Sequence, residues 1–190
     1  MPGHILILSG WRGVGKTSVC EHIIFAARRA SWDVAGLISP PDLSSGEKRS
    51  ILVQDLRTGE RRKLARSSGS DDNTLDSLTP AWVFDPGQLA WGDAVLRDAV
   101  PCDLLVIDEL GPLELLSDEG WQAGIEAIDS GNYRLALVVI RPELLEVACW
   151  RWPMAETMIL DSYADIPSVA TTITRRYFRL SQAEDNQTEG

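Results

Sequence analysis

The sequence predicts an α/β fold, a mostly parallel sheet flanked by helices on both faces with an added antiparallel β-hairpin. Three observations predict it. Continuous apolar runs at residues 104–107 and 135–140 read as strands buried on both faces. Between such runs lie stretches of helical periodicity, the alternation expected of βα units joined by right-handed crossovers. Two shorter runs, 50–56 and 61–65, are linked only by a turn around Thr58-Gly59, a connection short enough to make them antiparallel.

Taken in order, residues 4–9 form a short buried strand that stops at Gly10. Beyond Lys16 the period changes. Val19, Ile23, Ala26, Ala27 and Ala30 recur at helical spacing while Glu21, Arg28 and Arg29 can face water, so the turn opens directly into a helix. Residues 34–39 are a second strand, followed by the hairpin. The polar run 67–79 is the candidate mobile loop or linker. A second βα half follows, with strand 82–84, helix 87–99, strand 103–107, helix 117–130 and strand 134–140. A further helix begins near Pro142, a short strand covers 158–160, and a last helix runs from about Pro167 to Leu180, capped by Asp165. Residues 1–180 are expected to form one domain and 181–190 a frayed polar tail.

Charge and composition exclude several classes of function. With 18 basic against 28 acidic residues the net charge is −10, which opposes the attraction on which phosphate-backbone binding relies, so nucleic acid is a disfavoured partner. The cluster Arg57, Arg61, Arg62, Lys63 and Arg66 is either a local basic patch or a solvated hairpin. No run approaches the roughly twenty apolar residues that span a bilayer, and residues 1–9 are too weakly apolar for export, so a cytoplasmic protein without a membrane partner is expected. Cys20, Cys102 and Cys149 lack CxxC spacing and read as small core hydrophobes in a reducing compartment. His4 and His22 are isolated, which leaves no basis for a permanent metal or a Ser-His-Asp nucleophile.

The chemistry concentrates in two segments. Gly10-Trp11-Arg12-Gly13-Val14-Gly15-Lys16-Thr17 fits the P-loop pattern G-x-x-x-x-G-K-[ST], and it has the required context of a strand before and a helix after. Side chains at Gly10 or Gly15 would keep the loop amides from wrapping phosphate oxygens. Gly10, Trp11, Arg12, Gly13, Val14, Gly15, Lys16, Thr17 and Ser18 are therefore the candidate nucleotide-binding residues, with Lys16 as the catalytic cation and Thr17 as a metal hydroxyl. In the second segment an apolar strand ends in Asp108-Glu109. Asp108 is the expected holder of Mg²⁺, often through water, and that Mg²⁺ is expected to arrive with the nucleoside triphosphate.

Glu109 is the candidate that orients or deprotonates the attacking water, the alternatives being a structural ion pair or a helix cap. Glu114, after the turn Gly111-Pro112-Leu113, either returns a carboxylate toward the metal pocket or starts a helix. Arg12 either reaches the triphosphate or points into solvent. Arg141 ends strand 134–140 at the edge where ligands of open α/β sheets sit, the place for an arginine that senses or stabilises transferring phosphate. Trp11, Trp150, Trp152 and Tyr163 are candidates to flank a base, against the alternative of ordinary packing.

With these residues in place, the chain resembles the small nucleoside-triphosphatase family of P-loop proteins, known from thermostable prokaryotic enzymes and the cancer-related nucleoside triphosphatase. The resemblance spans about Ile5 to Asp161. It is carried by Ser9 to Thr17, by Gly36-Leu37-Ile38, by Asp55-Leu56 with Thr58-Gly59-Glu60, and most specifically by the run from Val106 to Leu115. It implies a RecA-like or kinase-like fold and slow hydrolysis of ATP, GTP and other nucleoside triphosphates to the diphosphate and phosphate. Two departures stand out. Trp11-Arg12 replaces the usual small residue and proline, and Arg141-Pro142 stands where the family tends to carry a histidine followed by a basic residue. Three functions remain open on this reading: a Mg²⁺-dependent NTPase, a kinase that passes the phosphoryl group to a nucleotide or small molecule, and a nucleotide-binding switch read by a protein partner.

Overall fold

The computed structural model describes residues 3–40, 50–67 and 82–178. Eight strands, β1 (His4–Ser9), β2 (Val34–Ile38), β3 (Ser50–Asp55), β4 (Arg61–Ser67), β5 (Trp82–Phe84), β6 (Leu104–Leu110), β7 (Leu135–Ile140) and β8 (Glu156–Ile159), join in one sheet of order β5-β4-β3-β2-β6-β7-β1-β8. The helices are α1 (Lys16–Arg29), α2 (Pro86–Arg97), α3 (Pro112–Leu116), α4 (Gln122–Ser130), α5 (Leu145–Arg151) and α6 (Ile166–Tyr177).

Five strands, β2, β6, β7, β1 and β8, are parallel, and β6 and β7 carry the continuous apolar runs that burial on both faces calls for. Alternate side chains serve two cores. Ile7, Leu105, Ile107, Ala136 and Val138 face a layer containing Leu96, Ile125, Ile128 and Ala148 of α2, α4 and α5. Leu6, Leu8, Val106, Leu137 and Val139 face Val19, Ile23 and Ala27 of α1 and Ile173 of α6. At one point two strands approach unusually closely. A Cβ on Gly36, at φ +105°, would lie 2.0 Å from the Val106 carbonyl oxygen, so β2 cannot seat against β6 with a side chain there.

The antiparallel part is larger than a hairpin. β3 pairs with β2 and β4 with β3, and β5 then adds to β4, so Trp82–Phe84 closes this antiparallel edge instead of opening a second βα half. The expected helix 117–130 is shorter, because residues 117–121 form the turn between α3 and α4. Asp118 (φ +53°) and Gly120 (φ +68°) take left-handed backbone, and the Glu119 amide donates to Leu113 O at 2.9 Å, which ends α3 before α4 begins. Asp85 caps α2 by accepting from the amides of Gly87 (2.8 Å) and Gln88 (3.2 Å). Asp165 does stand at the start of α6, but its carboxylate turns back to the amide and hydroxyl of Ser162, at 3.0 and 2.8 Å, and caps nothing in the helix.

Three of the five residues of the basic cluster are tied into the fold, while Lys63 and Arg66 are exposed. Arg57 donates to Asp33 (2.8 Å) and to the carbonyls of Asp98 (2.6 Å) and Pro101 (2.8 Å), Arg61 to Gln54 (2.8 Å), and Arg62 to Glu60 (2.8 Å) with its guanidinium 4.5 Å from the Trp91 ring centre. All three cysteines are free thiols. Cys20 is buried, with its thiol pushed well up by burial, and Cys102 is pushed up to about 12 for the same reason. Among the described residues no helix is long and apolar enough to cross a membrane. The expected loop lies outside the described residues except for Ser67, and the tail 181–190 lies wholly outside them.

Candidate active site

The five parallel strands end at one edge of the sheet, and the segments that follow β1, β2, β6, β7 and β8 meet there. The loop after β1 is shaped by glycine in a way its motif alone does not reveal. A Cβ on Gly10 would lie 2.4 Å from the Leu160 carbonyl oxygen, and one on Gly15 would lie 2.4 Å from Ile166 Cδ1. The segment between β8 and α6 is thus pressed against the back of the loop, so these glycines serve chain packing as well as phosphate access. Gly15 is also left-handed (φ +101°, ψ 24°), and α1 begins at the next residue.

Lys16 is 7% exposed, and its ammonium donates to the carbonyls of Gly10 (2.5 Å) and Trp11 (3.0 Å) within its own loop. Burial lowers its pKa, and the charges of Glu109 and then Asp108 oppose that shift. Asp108 is 4% exposed. It accepts from the Ser39 amide at 3.2 Å and from the Thr17 hydroxyl, while Ser39 Oγ donates to the Asp108 carbonyl at 2.8 Å. Burial still outweighs these bonds and pushes the carboxyl up to about 6.

The register of β6 against β7 slips at the two acids, because Ile107 pairs with Val138 but Leu110 with Ile140, three steps against two. An extra residue of this kind re-aims side chains, and here it falls at Asp108-Glu109. Glu109 meets Arg141, whose Nε donates to its carboxylate.

A family model described as NTPase matches residues 5–148. The chain belongs to the NTPase family. Among its relatives are the nucleoside-triphosphatase THEP1 of Thermococcus kodakarensis, 31% identical over 70% of this chain and 74% of the relative, and that of Pyrococcus abyssi, 34% identical over 59% and 61%. The solution structure of a human cancer-related nucleoside triphosphatase superposes with a TM-score of 0.63 over 90% of this chain and 97% of the other at 20% identity, which shows a shared fold.

In this NTPase the structure brings Lys16, Thr17, Asp108 and Glu109 to one place at the carboxyl edge, and β7 intervenes between the P-loop strand and the acid-bearing strand, the RecA-like of the two arrangements. Glu114 is engaged elsewhere. Its two carboxylate oxygens accept from the amides of Gly111 (2.8 Å) and Trp121 (3.0 Å), which is the helix-start alternative. Arg12 is exposed, with its guanidinium 6.0 Å from the centre of the Trp82 ring. Trp11 and Tyr163 rise exposed beside the loop. Trp150 and Trp152 do not. They close α5 at the far end of the sheet, where the Trp152 indole donates to Asp129 near the end of α4 at 2.8 Å. Sequence reasoning missed Ser39, which holds Asp108 on both amide and hydroxyl. Its only signal was its position one residue past β2 at the edge where ligands gather.

Proposed function

We propose that this NTPase is a Mg²⁺-dependent phosphohydrolase that cleaves the terminal phosphate of ATP, GTP and other nucleoside triphosphates. The observation that carries this reading is buried Asp108, which accepts from the hydroxyl of half-buried Thr17, beside Lys16. A hydroxyl and a carboxylate are the hard oxygen ligands that Mg²⁺ takes, and a carboxyl pushed up to about 6 by burial is one that a divalent cation would return to its ionised form. The residues therefore fit the ion. Thr17 and Asp108 would hold the ion, and when bound it would neutralise the charge that develops on the terminal phosphates.

The remaining work falls to the chain. The loop amides from Gly13 to Ser18, at the positive end of α1, bind the phosphates. Lys16, which now spends its ammonium on Gly10 and Trp11 carbonyls, binds the terminal phosphates. Glu109 orients a water and takes its proton as the water oxygen bonds to phosphorus and the bond to the bridging oxygen breaks, releasing diphosphate and phosphate. Trp11 and Tyr163 offer every base a ring face and no base-specific pattern of donors, which supports broad base tolerance. Residues 1–180 act on this reading as one catalytic domain.

Phosphate release from a panel of nucleoside triphosphates, with Mg²⁺ or with EDTA and with Lys16→Ala as the blank, tests the reading. Release is expected from several bases, only with Mg²⁺ and not from the blank. Free phosphate from no nucleotide would remove the hydrolase, and phosphate recovered on an added acceptor would identify a kinase.

A further inference from the structure

We propose that Arg141 is the residue that positions Glu109, its guanidinium at the tip of β7 holding the Glu109 carboxylate at the phosphate loop where the attacking water must sit. The inference rests on the reading of Glu109 as the water-orienting group.

Strand order supplies the first support. β7 lies between β1 and β6, so Arg141, one residue past Ile140, stands between the loop that follows β1 and the acids at the end of β6. The register slip supplies the second, since without regular pairing at Glu109 its side chain needs another group to set its direction. The contact itself is the third. Arg141 donates from Nε to Glu109, and this directed bond fixes the line along which the Glu109 carboxylate lies. Stability does not account for the pair, because both side chains are partly exposed, at 50% and 31%, and exposed ion pairs contribute little.

Single-turnover hydrolysis with labelled triphosphate, which reads very slow rates, tests this on Arg141→Ala, Glu109→Gln and the double variant. Arg141→Ala is expected to lower the rate roughly 30-fold to 300-fold while KM stays within about twofold, and Arg141→Lys to recover only part of it. Added on top of Glu109→Gln, Arg141→Ala should change nothing. Millimolar guanidinium should speed Arg141→Ala several-fold and leave the double variant unmoved, a response that a merely structural arginine would not give. Multiplying effects in the double variant, or a loss confined to triphosphate affinity, would overturn the proposal and assign Arg141 to the phosphate itself. If Glu109→Gln keeps full turnover, the reading of Glu109 falls and takes the proposal with it. If Glu109→Gln abolishes turnover but Arg141→Ala does not slow it, the proposal alone falls.

Discussion

Two buried aspartates, one at the end of β3 and one inside β6, lead opposite lives in this molecule. Asp55, 7% exposed at the end of β3, accepts from the Arg57 amide at 2.9 Å and the Thr58 hydroxyl at 2.6 Å, both within three residues of it. The turn that satisfies it is itself tied down, since Arg57 reaches Asp33 and two distant carbonyls. Asp108 is as deeply buried, and its partners are the amide of Ser39, just past β2, and a hydroxyl from α1. These do not offset burial, and its carboxyl rises to about 6. A local turn can complete a carboxylate's hydrogen bonds and so serve the fold. A site assembled from separate elements leaves one under-compensated, which is how a metal or substrate site is kept ready.

The sharpest way to break this contrast is Asp108→Asn. On the proposed role of Asp108 in holding Mg²⁺, turnover is expected to fall on the order of 10³-fold, while the metal-free protein becomes more stable at high pH. The sign follows from the carboxyl. Its folded-state pKa of about 6 lies above the ordinary 3.8, so the stability tied to it is full below about pH 4 and lost as pH rises through 6. The difference corresponds to about 3 kcal/mol, which Asn should restore at pH 8 and not at pH 4. Urea unfolding in EDTA at the two pH values measures it, and equal shifts at both would refute the account.

Asp55→Ala should do the reverse, costing about 2–3 kcal/mol in urea unfolding at pH 7 by stranding two donors, with kcat within about twofold of the parent. A large loss of kcat there would place the hairpin in the chemistry. Glu114→Ala is expected to cost about 1 kcal/mol, the usual weight of a helix cap, and to leave kcat unchanged. A tenfold fall in kcat would instead return Glu114 to the metal pocket. An effect of similar size, about 1 kcal/mol, is expected for Gly13→Ala. Its φ of +84° disfavours a side chain, although nothing lies within 4 Å of the Cβ position; thermal unfolding without nucleotide reads it.

Features of the fold carried by neighbours in the chain were legible. The βα alternation, the hairpin turn and the P-loop depend on residues within a few positions of one another. Trp82–Phe84 was misread because three residues do not reveal which strand they will pair with, and pairing with β4 decided their direction. Helix 117–130 was drawn through Gly120 although glycine there was a usable warning. Trp150 and Trp152 stand among the candidates to flank a base, yet α5 carries them to the opposite end of the sheet.

The sequence by itself determined where phosphate chemistry could occur, because a P-loop needs only contiguous amides, two glycines and a lysine, followed by a helix. Tertiary structure alone decided how that chemistry is arranged. The place of β7 between β1 and β6 follows from long-range strand pairing, and that order sets Arg141 against Glu109, 32 residues away. The same packing buries Asp108 under Ser39 and Thr17 and raises its carboxyl, since desolvation depends on the whole surroundings of a group and no local pattern encodes it.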